Sequence, residues 1–122
     1  MTTRNAALFN AIADQIEAHP ESYDQGTYGT AFCGTAHCIG GWAIALSGWA
    51  RVLGHNWGSV TRGGVTRGAF DAGRDELGLD EVEAGTLFRP DWEPPAHETV
   101  PQALRRIGAG GAIVEDSQGA DR

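Results

Sequence analysis

Apolar positions first recur at helical spacing near the start of the chain. Leu8, Ile12 and Ile16 fall four residues apart, with Phe9 and Ala13 beside them, while Asn5, Asp14, Gln15 and Glu17 occupy the rest of the turn. One apolar stripe on a polar background is the signature of an amphipathic helix, predicted here over 4–18 with Thr3 as its cap. His19-Pro20 ends it, because a residue before proline avoids the helical region. The pattern then changes character. Between 36 and 49 no residue is charged unless His37 protonates, and a helix that is apolar all round is a buried one. Ile39, Trp42, Leu46 and Trp49 make a large stripe along it, and Cys38, Gly41, Ala45 and Gly48 make a small one. Thr35 is its natural N-cap, and the small stripe predicts close approach of another backbone.

Beyond this helix the apolar periodicity is lost. Residues 50–65 are rich in glycine and read as a loop, with room for a short strand pair near Trp57. Thr66 is expected to cap a third helix over 67–77, and Gly78 to end it as a left-handed C-cap with Leu79 as the apolar contact that follows. Asp80, with Glu83 three residues later, forms a capping box for a fourth helix that turns Val82, Leu87 and Phe88 inward. Thr99 caps a last helix over 100–107, with Pro101 tolerated in its first turn. The fold class predicted is all-α: a compact single domain of four to five helices around a buried central helix. Residues 1–108 form the domain and 109–122 a flexible tail.

Composition narrows the functional classes. A chain of 122 residues is one domain by length. Its net charge is -7 and its nine basic residues are all Arg. That balance argues against nucleic-acid binding, which draws on clustered cations to neutralise phosphates. The first residues, Met1-Thr-Thr-Arg4-Asn5, hold no apolar leader, and the longest apolar stretch, 38–50, is too short to span a membrane. With two Cys only, the chain is expected to act in a reducing bacterial cytoplasm.

The run His19-Pro20-Glu21, then Asp24-Gln25, then Cys33-Gly34-Thr35-Ala36-His37-Cys38-Ile39-Gly40-Gly41-Trp42-Ala43, then Leu77-Gly78-Leu79 and Leu87-Phe88, resembles a group of small proteins from actinobacteria and their bacteriophages. The resemblance implies a setting, phage or prophage accessory genes, and no activity.

Four chemistries follow from the residues. A structural zinc fits poorly: it wants four tetrahedral ligands in two short pairs, whereas Cys33, His37 and Cys38 have no second cysteine pair and the last two point apart on a helix. A disulfide between Cys33 and Cys38 is allowed by length and disfavoured by a reducing compartment. A thiol-dependent enzyme would use Cys33 or Cys38, activated at a helix N-terminus, with His55 or His97 as base and Asp91 or Glu98 behind it. A binding site would draw on Tyr23, Asp24, Gln25 and Tyr28 in the loop before the central helix, with Thr35, His37, Trp57 and Arg62. There the aromatics could stack on a flat base and Arg51, Arg62 or Arg67 could meet a phosphate. The opposing reading turns Tyr23 and Tyr28 onto the core as lids. The balance favours a non-enzymatic accessory protein, without cofactor, that binds a host protein or a small nucleotide-like signalling molecule. Self-association remains open, and the thiol enzyme is the alternative.

Overall fold

The computed structural model describes residues 4–23, 39–51, 59–89 and 92–113. Helix α1 spans Ala6–Ala18. Its cap is Asn5 in place of Thr3: the Asn5 side chain accepts from the Leu8 amide at 3.1 Å, satisfying a donor the first turn leaves open. Asn5 also fixes where the helix begins in space, since its backbone and side-chain amides donate to the Leu77 and Glu76 carbonyls. A 3-10 turn, Pro20–Ser22, follows.

Helix α2 is described from Ile39 to Leu46, so the expected Thr35 cap lies outside the described residues. Its end comes earlier than the apolar run suggested. Gly48 has left the helix with φ +88°, and Leu46 is 42% exposed. The helix is therefore buried along most of its length and open at its C-terminal end. Close approach does occur, one residue away from the expected stripe. A Cβ on Gly73 would lie 3.4 Å from the Gly40 carbonyl, which is how α2 meets helix α3, Ala69–Leu77.

The all-α class does not hold. Residues expected to be loop and helix start form a three-stranded antiparallel sheet in the order β1-β2-β3: Ala50–Arg51, Ser59–Arg62 and Val65–Gly68. Thr61 pairs with Ala50 on one side and with Thr66 on the other. The β2–β3 hairpin turns at Gly63-Gly64, both with positive φ, as a tight two-residue hairpin requires. Thr66 thus sits in a strand, and α3 starts after Gly68 without a side-chain cap.

The remaining helices follow their local signals. Gly78 is left-handed at φ 74°, and the amides of Gly78 and Leu79 close back on Asp75 and Arg74. Asp80 and Glu83 form the reciprocal capping box of α4, Glu81–Leu87. Thr99 and Gln102 form another for α5, Val100–Gly108, with Pro101 in its first turn. Leu87 and Phe88 are buried, whereas Val82 is 78% exposed and faces solvent.

Two apolar clusters result. The main one joins α1, α2, the end of α3, α4 and α5, with Phe9, Ile12, Ile39, Leu87, Leu104 and Ile107 fully enclosed. Helices α1 and α5 are so close that a Cβ on Gly108 would stand 2.7 Å from the Phe9 Cβ. The smaller cluster, Ile44, Trp49, Val60, Ala69 and Ala72, lies between the sheet and the α2–α3 pair. Residues 109–113 are expected to belong to the tail, yet the last of them packs back: Ile113 is buried and its carbonyl accepts from the Trp92 indole at 3.1 Å. Among the described residues no helix is long and apolar enough to cross a membrane.

Candidate functional site

Of the residues singled out from sequence, Asp24, Gln25, Tyr28, Cys33, Thr35, His37, Cys38, His55 and Trp57 lie outside the described residues. Tyr23, Arg62 and His97 are described, and the fold does not bring them together as one site.

Arg62 closes strand β2 and reaches back to the end of α2. Its guanidinium donates to the Ser47 carbonyl at 2.8 Å and pairs with Glu76 of α3, also at 2.8 Å. It lies 4.5 Å from the centre of the Trp49 ring, and the indole N–H of Trp49 donates to the same Glu76 oxygen at 2.9 Å. One carboxylate thus gathers a cation and an indole, and the cation covers the ring face. The arrangement clips the sheet to α2 and α3. Arg67, another candidate phosphate contact, is held by Asp75 at 2.6 Å. Bringing a phosphate to either arginine means first displacing a carboxylate of the same chain.

His97 lies exposed ahead of α5. Of the two carboxylates expected behind it, Asp91 lies outside the described residues and Glu98 is engaged elsewhere: Arg106 holds both of its oxygens, at 2.7 and 3.0 Å. The Arg106 hydrogen bonds, with smaller charge contributions from Arg106 and His97, hold the Glu98 carboxyl below its usual range. A general base needs an acceptor that fixes its tautomer, and Glu98 is committed to a different task. Tyr23, half-buried, packs on the main cluster, in line with the lid reading.

A feature not foreseen from sequence lies beside α4. Arg4, Val82, Glu83, Thr86, Ala112 and Ile113 line a surface cleft of about 280 Å³. Arg4 builds one wall by donating to the Ile107 and Gly111 carbonyls and pairing with Glu83 at 2.8 Å. Glu83 is held below the usual carboxylate range first by the Asp80 backbone N–H and then by Arg4. Charge at the cleft is thereby cancelled locally, and what remains exposed is largely aliphatic. The volume falls just short of the roughly 300–1,000 Å³ of drug-sized ligand sites, so the cleft suits a side chain or two better than a nucleotide. No single sequence motif could have indicated it, because its walls come from both ends of the chain and from α4. Among the described residues no group of three or more His, Cys, Asp or Glu is placed to hold a metal ion.

No protein-family model, no curated protein and no solved structure matches this chain.

Proposed function

We propose that the chain is a non-enzymatic binding protein of the phage or prophage accessory type, acting in the bacterial cytoplasm on a host protein with a basic surface. The observation that carries this reading is how its cations are spent. Arg4, Arg62, Arg67, Arg74, Arg105 and Arg106 are each paired with carboxylates of the same chain. The excess behind the net charge of -7 is then a field of carboxylates that speeds encounter with a positively charged partner. The same pairing weakens the nucleotide reading, because Arg62 and Arg67 are already occupied. It also weighs against self-association, which would bring two acidic surfaces together.

Native mass spectrometry of the chain purified from an actinobacterial host tests the reading. The expected result is a discrete complex with a basic host protein that dissociates as ionic strength rises from about 0.05 to 0.5 M, where charge steering is screened. A small-molecule adduct with no protein partner would overturn it in favour of a signalling ligand. Rapid alkylation of Cys33 or Cys38 in the folded chain at neutral pH would overturn it in favour of the thiol enzyme.

A further inference from the structure

We infer that the outward face of α4, with the cleft beside it, is the docking surface for that partner, and that its occupant is a basic amphipathic segment that inserts one aliphatic side chain into the cleft. The inference rests on the protein-binding reading above and assigns it a place.

Val82 stands in the first turn of α4 at 78% exposure, against the apolar cleft. Gly85 follows one turn later, and a Cβ placed there would meet nothing within 4 Å. Glycine inside a helix is unfavourable relative to alanine. At Gly73 and Gly108 close neighbours account for it, whereas at Gly85 no neighbour stands within 4 Å among the described residues. A bare stretch of helix backbone beside an exposed valine is suited to close approach by another chain. Thr86 adds to this face: its hydroxyl is spent on the Val82 carbonyl at 3.1 Å.

Charge selects the occupant. Arg4 and Glu83 neutralise each other at the cleft wall, while Asp80 and Glu81 stay exposed at the start of the helix, Asp80 capping the Glu83 amide and Glu81 within the field of Arg74, with Arg89 at the far end. The chain's own residues beyond Ile113 include Glu115, Asp116 and Asp121 against Arg122, and a second copy carries the same net -7. Both would be repelled from the Asp80–Glu81 end. A segment with Lys or Arg toward that end and an apolar anchor in the middle fits the surface.

The probe is a synthetic helical peptide of about 18 residues built from Leu and Lys, long enough for several anchor turns. Two controls have Ser for Leu or Glu for Lys. It is titrated into the isotope-labelled full chain and followed by amide resonances. The Leu/Lys peptide is expected to shift Val82, Gly85, Thr86, Ala112 and Ile113, and both controls to leave them in place. Val82→Asp is expected to weaken binding about tenfold. Gly85→Ala is expected to raise Tm while weakening binding, a divergence that a purely structural glycine would not produce. Binding that maps elsewhere, or a Gly85→Ala chain that binds as tightly as the parent, would overturn this assignment and leave the protein-binding reading standing. If no basic peptide binds and the purified chain carries a small-molecule adduct, the broader reading fails with it.

Discussion

The helical body and the small sheet are held together by different physics. The body is closed by apolar contact: Phe9, Ile12, Leu87, Leu104 and Ile107 are fully enclosed, and α1 and α5 meet at the Phe9–Gly108 contact. Among the described residues the sheet contributes one fully buried side chain, Val60, to a cluster of five residues, and is tied to the helices by the Arg62–Glu76–Trp49 clip and the Arg67–Asp75 pair. A dense apolar core gains stability roughly in proportion to the surface it hides. A polar clip contributes only what three bonds return after desolvation. The body should therefore set the global stability, and the sheet should open first.

The largest expected effect tests the first half of that statement. Phe9→Ala removes a fully enclosed ring and leaves a cavity between α1 and α5, costing about 3–5 kcal/mol. In urea the helical circular dichroism and tryptophan fluorescence should lose their midpoints together. If fluorescence alone shifted, the body would not be the cooperative unit.

A smaller change tests the second half. Glu76→Gln keeps an acceptor for one partner and removes the charge that gathers both Arg62 and the Trp49 indole, costing about 1–2 kcal/mol. Hydrogen exchange should quicken at the Val60 and Thr61 amides and stay unchanged at Ile12 and Leu104. Equal acceleration in both regions would mean that sheet and body unfold as one.

The same division governs what could be read from the sequence. In the body each signal is local. The Leu8–Ile12–Ile16 stripe, the Asp80–Glu83 box, the Thr99 cap and the Gly78 cap all act within a few residues, and the structure forms them. The Thr3 and Thr66 caps failed for a shared reason. Asn5 is chosen by its additional bonds to the end of α3, and Thr66 by its pairing with Thr61, and both depend on distant chain. The sheet hid because β3 buries none of its side chains and so carries no alternating pattern. Its turn, Gly63-Gly64, was a legible hairpin signal that the surrounding glycines obscured. Val82 reads as inward because it is apolar, whereas the structure leaves it exposed beside a cleft that the sequence does not show. One wall of that cleft is an Arg4 bond to a carbonyl 103 positions away.

Acid gives the finest comparison, because the charged pairs are distributed unevenly between the two regions. In the body, Glu17, Glu83 and Glu98 all sit below the usual carboxylate range, held chiefly by Arg105, by the Asp80 amide and by Arg106 respectively. Toward the sheet, Asp75 is lowered, first by Arg74 and then by Arg67 of β3. A carboxyl whose folded pKa is depressed adds stability that is fully present above its unfolded pKa, about 4.3 for Glu. That stability is lost as pH falls through the folded value. Tm should therefore hold near neutrality and decline below about pH 5. The decline should be shallow, because these pairs are partly exposed and such pairs are individually weak. Arg106→Ala separates the titrating part from the rest. It also removes a bond to the Ala112 carbonyl, which does not titrate, so Tm falls somewhat at every pH. The informative quantity is the difference in Tm between pH 7 and pH 3. That difference should shrink by a degree or two at most, since a few tenths of a kcal/mol move Tm by about that much in a chain this short. If the variant's decline with acid is as steep as the parent's, the Glu98–Arg106 pair makes no contribution to acid sensitivity, and the loss lies with the other lowered carboxyls, Glu17, Glu83 and Asp75.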